Sequence, residues 1–242
     1  MRASVRWWGI PLFVAAVLAV HFGYIASIQL DPIEQPQLTF NHLWSAFVSH
    51  LALVGVSLLV VLLIAVPLGI FLTRPMARRL VGPVSWVAGL GLAIPSIGVI
   101  VFFAVVFQAL GFLYAVIALV IYATLPVLAN TIVGLQQVDP FVIESGRGMG
   151  MSKRQVFRQV EMPLAVPVVL AGVRTALILL VGTATLATFT DGGGLGDVIN
   201  SGLTLGRTTI LFTGSILAMV LALFVDWLGG IAEDYLRPSG LR

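Results

Sequence analysis

The chain of 242 residues contains no cysteine, which excludes disulfides, thiolate metal sites and a cysteine nucleophile. Charge is scarce too: Asp, Glu, Lys and Arg make up 10% of the residues, against about 25% in soluble domains. With 59% apolar residues and a mean hydropathy of +1.08, water is not the main solvent of this chain. His21 and His50 stand isolated, so each is expected to pack with its ring satisfied rather than to ligate a metal. No G-x-x-x-x-G-K-[ST] phosphate-binding loop occurs, so any nucleotide-derived energy has to arrive from another chain. No convergent nucleophile–base set argues for an intramembrane enzyme. The nearly uncharged spans and the absence of a visible internal repeat argue against an ion-coupled secondary transporter or channel.

Long apolar runs stand where polar sequence is missing. A bilayer span needs about 20 predominantly apolar residues, and six stretches qualify, near residues 8–28, 46–73, 84–110, 112–135, 164–188 and 209–228. Inside hydrocarbon the backbone must satisfy itself, as helices or as a closed barrel. Barrel strands alternate over about 10 positions, whereas runs such as LVGVSLLVVLLIAV are continuous. The expectation is an all-α integral membrane protein of about six helices, a single transmembrane domain over residues 1–242. A cleavable signal core runs about 7–15 residues; the first span is longer and SIQLDP is a poor cleavage site, so a retained helix is expected, with Trp7 and Trp8 in the interfacial aromatic belt. The polar stretch 29–42 is too short for a domain, and no soluble domain is expected.

The pI near 9.8 resembles a nucleic-acid signal, but the placement of the basic residues explains it without one. With six spans and the N-terminus inside, Arg2, Arg6, Arg74, Arg78, Arg79, Arg147, Lys153, Arg154, Arg158, Arg237 and Arg242 all fall on the cytoplasmic side. Arg207 falls outside and Arg174 within a span. Basic residues concentrate in cytoplasmic loops, so both termini and residues 137–163 are expected inside.

That segment carries the main signal. ESGRGMGMSKRQVFRQVEMPL, residues 144–164, holds six charges; at about 2.5–3.5 kcal/mol each at the bilayer centre, burying them would cost on the order of 15–20 kcal/mol. Asp139 followed by Pro140 is a helix start, and Gly150 is a helix end that tolerates a left-handed conformation. Ser152 with Gln155 is a capping-box pattern opening a second helix, KRQVFRQVE, which Pro163 is expected to break. Phe141, Glu144, Ser145 and Gly148 share one face of the first helix, and Val156, Phe157 and Val160 form an apolar stripe opposite Lys153, Arg154 and Arg158. A small face with one carboxylate, an apolar stripe and steering charges suit a helix docked in a groove of another protein.

The same residues resemble the cytoplasmic loop of ABC importer permeases, whose pattern is E-A-A, three residues, G, nine residues, I, one residue, L-P. Glu144, Ser145 and Gly146 stand at its start, Gly150 in its middle, and Val160, Met162 and Pro163 at its end. The resemblance implies a bundle of the type I importer (MetI-like) kind, in a bacterial inner membrane, whose coupling helix docks on a separate ATPase that holds the ATP and Mg. It also implies a second permease subunit, identical or paralogous, and an extracytoplasmic solute-binding protein; the chain itself would bind no cofactor and no nucleic acid. Further stretches, among them AIPSIGVI, YATLPVLANTIVGLQQVDP and LILLVGTATLATFTDGGGLGDVI, are similar to the osmoprotectant branch, which takes up glycine betaine, carnitine, choline and related quaternary ammonium compounds. Relatives that carry methionine or another amino acid are the alternative. Asp191 departs from the branch, where a small or apolar residue is expected before the glycines.

A quaternary ammonium solute suits aromatic surroundings through cation–π attraction, but the 14 Phe, 4 Tyr and 5 Trp are expected mainly to pack. Passage candidates are the polar or loosely packed residues of the spans. Pro95, beside Ser96, and Pro126 are expected to kink or break their helices. Thr183, Thr185 and Thr188 are expected to bond their own backbone, and Gly192, Gly193 and Gly194 to end their helix in a flexible outer turn. Arg174 and Asp226 are intramembrane charges expected to be paired, to face water or to snorkel.

Overall fold

A computed structural model describes residues 2–108 and 110–236; Arg237 and Arg242 of the orientation argument lie outside the described residues. Eleven α-helices are present among these: α1 (Arg2–Ser27), α2 (Glu34–Gln37), α3 (Phe40–Leu72), α4 (Val81–Ala93), α5 (Ser96–Val106), α6 (Phe112–Gln136), α7 (Pro140–Gly148), α8 (Lys153–Val156), α9 (Met162–Ala184), α10 (Leu195–Thr204) and α11 (Thr208–Leu236). A π turn, Phe157–Glu161, joins α8 to α9, and a 3₁₀ stretch, Thr185–Thr190, follows α9. Among the described residues five helical stretches are long and apolar enough to cross a membrane: Trp7–Ser27, Phe40–Leu72, Phe112–Gln136, Lys153–Thr190 and Thr208–Tyr235.

The expected third span is not one helix. It is the 13-residue α4 and the 11-residue α5, parted at Pro95. Pro95 takes φ −58° and ψ 128°, and a residue that precedes a proline is driven out of the α region, so the helix stops and restarts at Ser96. Neither piece alone reaches the roughly 20 residues a span needs. Pro126 behaves differently: α6 runs through it without a break. The carbonyl that Pro126 leaves without its helical donor is that of Tyr122, four residues back, while the side-chain amide of Asn130 adds a donor to the Pro126 carbonyl itself at 2.9 Å.

The chain divides into two compact units: Met1–Ser57, Pro95–Leu119 and Leu177–Leu228 form one, and Leu58–Ile94, Val120–Ala176 and Gly229–Arg242 the other. In the first unit Leu43, Val198 and Ile210 form a buried cluster on which Leu38, Ala46 and Leu217 pack. Small residues let helices meet closely where lipid offers no hydrophobic drive. A methyl on Gly196 would collide with the Thr185 backbone, and one on Gly202 with the Leu211 backbone, so α10 lies hard against the 3₁₀ stretch and α11. In the second unit Gly69 of α3 faces Thr131 of α6, and Gly172 of α9 faces Asn130.

Overpacking a close contact costs about 1–3 kcal/mol. Gly196→Ala and Gly202→Ala are therefore expected to lower the thermal unfolding temperature of the detergent-solubilised protein. Gly55→Ala, whose Cβ would meet no atom within 4 Å, is expected to leave it unchanged or raise it.

Candidate functional site

Residues 137–163 fold as their local chemistry dictates. The Asp139 carboxylate accepts the Phe141 N–H at 2.8 Å, with Pro140 at the first helical position of α7. Beyond the helix Gly150 takes φ +84°. Ser152 and Gln155 form the reciprocal capping box: the Ser152 N–H donates to Gln155 Oε1 at 2.8 Å and the Gln155 N–H to Ser152 Oγ at 3.4 Å.

The second helix does not end at Pro163. α8 passes through the π turn straight into α9, with Pro163 inside the first turn of α9. A proline ring needs the carbonyl four residues back moved aside. The π turn immediately before it opens the backbone by one residue, which removes the clash and the need for the missing donor.

Gly146 holds the two helices of the segment together. It is buried, and a Cβ there would lie 3.4 Å from Met151 Sδ, 3.5 Å from Val156 Cγ2 and 3.8 Å from Val160 Cγ2. These are ordinary contact distances, so alanine, the residue of the importer pattern at this position, also fits. Val156 is 1% exposed. Thus Val156 and Val160 of the expected stripe turn toward α7 within the chain. The open face of α7 carries Phe141 and Met149, both 77% exposed, with Val142, Glu144, Ser145 and Gly148 also exposed. Ser152, Arg154, Gln155, Arg158 and Gln159 line an open polar recess of about 530 Å³.

Phe157 and Glu161 meet a residue from far away in the sequence. Arg74, just past the end of α3, places a guanidinium nitrogen 2.9 Å from Glu161 Oε2 and its guanidinium carbon 4.8 Å from the centre of the Phe157 ring. Its Nε–H donates to the Ile70 carbonyl at 3.2 Å. Glu161 is buried, and a buried carboxylate requires such a partner. Arg74 read in the sequence only as a basic residue of an inner loop. Its partners lie more than 80 positions away, a pairing no local spacing reveals.

The passage candidates separate between the two units. In the first, α5 with Ser96 packs on the Thr185–Thr190 stretch, and the Gly111 N–H donates to the Thr190 carbonyl. Thr183 and Thr185 donate their hydroxyls to the carbonyls of Leu179 and Gly182, each at 2.7 Å, so the expectation that these side chains serve their own backbone holds for both. Thr188 is half-buried. The glycine run is tightly packed rather than a loose turn. Gly192 is buried against Ala115 and Ala187, and Gly194, with φ +101°, lies against His50. His50 is fully buried; its Nε2–H donates to the Val181 carbonyl at 3.1 Å and its Nδ1 accepts the Leu195 N–H at 3.3 Å, which defines a neutral ring with both nitrogens in use. Asp191 is exposed with φ +55°, a left-handed conformation that Asp tolerates better than apolar residues do. In the second unit, with Pro126, Arg174 lies flat against Gly229 and Gly230 of α11 and reaches Glu233 at 3.7 Å. It is a paired charge.

A family model described as binding-protein-dependent transport system inner membrane component matches residues 65–237. The chain belongs to this family. It is the permease of an ABC transport system, a multi-pass inner-membrane protein. Choline transport system permease protein OpuBB of Bacillus subtilis is 37% identical over 193 residues, covering 80% of this chain and 88% of the relative. Carnitine transport permease protein OpuCB of Listeria monocytogenes is 41% identical over 181 residues, covering 74% and 81%. Osmoprotectant import permease protein OsmW of Salmonella typhimurium is 35% identical over 224 residues, covering 91% and 95%. A solved chain of the MetNI methionine ABC transporter, captured facing inward, superposes with a TM-score of 0.70 at 24% identity over 81% of this chain and 96% of its own, a likeness of fold. The permease family match takes in α7, α8 and the π turn, so the charged segment belongs to the shared body of the fold.

The packing at Gly146 separates size from polarity. Gly146→Ala is expected to leave thermal stability within about 1 kcal/mol of wild type, because a helical alanine gains what the contact costs. Gly146→Leu is expected to lose about 1–3 kcal/mol and to make the 149–152 turn sensitive to limited proteolysis.

Proposed function

We propose that this permease imports osmoprotectants of the quaternary ammonium class, such as choline, carnitine and glycine betaine, delivered by an extracytoplasmic binding protein. The reading is carried by relatives 35–41% identical over 74–91% of the chain, named for transport of choline, of carnitine and of osmoprotectants. Methionine is supported less, since that likeness is one of fold at 24% identity.

ATP is bound and hydrolysed, with Mg, by a separate ATPase subunit docked on residues 144–163. The open face of α7 suits that contact: Glu144 gives one carboxylate, Ser145 and Gly148 allow close approach, and Phe141 and Met149 give apolar area. Gly146, Val156 and Val160 shape the element from within, and Gly150 and Pro163 set its two ends. Two permease subunits, identical or paralogous, form the pathway between them, each acting as one transmembrane domain. ATP binding closes the ATPase pair, shifts both docking elements and turns the bundle outward; hydrolysis resets it, a rigid-body transition between two packed states. The passage needs weak contacts that release the solute. Ser96 beside the Pro95 break, Thr183, Thr185, Thr188 and the turn at Gly192, Gly193 and Gly194 suit it in one unit; Pro126 and Arg174 suit it in the other.

Both termini are cytoplasmic in this reading. Because the chain has no cysteine, a single Lys153→Cys is expected to react with a membrane-impermeant maleimide only in inside-out vesicles, and Gln37→Cys only in right-side-out ones. The reverse pattern refutes the orientation. Glu144→Lys is expected to abolish choline uptake and co-purification of the ATPase while the protein stays inserted in the membrane; unchanged uptake removes Glu144 from the docking contact.

A further inference from the structure

We infer that Arg74 is a positioning residue that hands displacement of the ATPase-docking element to α3, so that losing it uncouples ATP hydrolysis from transport. This rests on the reading of residues 144–163 as the docking element and assigns the route by which its motion leaves that element.

The docking element has a covalent exit: α8, the π turn and α9 form one continuous helical path. Motion along that path reaches α9 directly. For a second helix to move in step, a contact must resist both sliding and separation, and Arg74 supplies one. Phe157 and Glu161 are four positions apart at the two ends of the π turn, a spacing that brings side chains to one face of a helix. One guanidinium meets both. Its central carbon lies 4.8 Å from the centre of the Phe157 ring, and a terminal nitrogen sits 2.9 Å from the Glu161 carboxylate. The cation–π contact and the ion pair hold one guanidinium from two sides while its Nε–H donates elsewhere, a division of donors open to arginine and not to lysine. The same guanidinium is tied back by its Nε–H to the Ile70 carbonyl of α3. The arginine therefore bridges from the last turn of α3 to the turn that joins docking element and α9.

Burial sharpens the contact. The Glu161 side chain is 11% exposed while that of Arg74 is 36% exposed, so Glu161 has little water to fall back on if the two part. Separation leaves a carboxylate without its partner in a poorly hydrated place, which is costly. Joint movement keeps the pair intact and is the lower-energy route. π turns inside α-helices are frequent at functional positions; here the turn carries both halves of the grip.

The test reconstitutes the permease with its ATPase and binding protein in liposomes and measures choline transported together with ATP hydrolysed. Arg74→Ala is expected to assemble and hydrolyse ATP while the ATP used per choline rises about tenfold, inside the ~5–150-fold range of allosteric couplings. Arg74→Lys, which keeps the charge and loses the guanidinium's separate donors, is expected to fall between the two. If Arg74→Ala assembles and keeps the wild-type ratio, or if hydrolysis and transport fall in the same proportion, the inference is overturned. Should Arg74→Ala fail to assemble, Glu161→Gln removes the ion pair without leaving a buried charge; a raised ratio in that variant supports the inference and a wild-type ratio overturns it. Failure of the docking reading has a different signature, namely that Glu144→Lys leaves both ATPase binding and uptake intact.

Discussion

Hydrocarbon solvates neither a charge nor an open peptide group, and the organisation of this permease follows from that. Each helix must keep its amides engaged, and each departure from helix must bring its own substitute partner. Where α9 gives way to a tight turn and then α10, His50 takes the amide of Leu195 with one nitrogen and gives the other's proton to Val181. Buried threonines such as Thr131 and Thr213 return their hydroxyls to the preceding turn, each at 2.7 Å. Polar side chains in the spans are thus largely occupied in maintaining the backbone.

The same rule sorts the charges. Arg174 reaches Glu233 across a surface smoothed by two glycines, and Glu161 meets Arg74. At the polar end of α1, Asp31 accepts the amides of Ile33 and Glu34, each at 2.8 Å, and pairs with Arg207, also at 2.8 Å. Each of these pairs joins parts of the chain distant in sequence, which suits an ion pair as a fastening between elements better than as a source of net stability.

Much of this was legible in the residues because the signals were local. The helix start at Asp139, the end at Gly150 and the Ser152–Gln155 box are decided within four residues, and the structure has all three. Apolar run length marks the spans, and a break at Pro95 follows from proline chemistry. What failed was inference from one residue to its effect on a longer path. Pro163 reads as a stop only while the π turn ahead of it is unknown. The glycines at 192–194 read as loose only while Ala115 and His50, which close on them, are out of view. The stripe of Val156 and Val160 reads as a surface for a partner only while Gly146 is not seen beneath it. Arg74 illustrates the limit, since its two contacts lie across the fold and nothing in its neighbourhood in sequence announces them.

The unbroken passage from α8 through the π turn into α9 leaves no slack between the charged α7–α8 segment and the apolar length of α9. A flexible loop there would absorb a small push as local coil motion, whereas a hydrogen-bonded rod turns it into tilt. α9 has 23 residues, about 35 Å at 1.5 Å per residue, so leaning it by about 5° from its Met162 end sweeps the far end through about 3 Å. That stroke is on the scale of a methyl group's diameter, so a slight lean at one end of the rod becomes a displacement of side-chain size at the other.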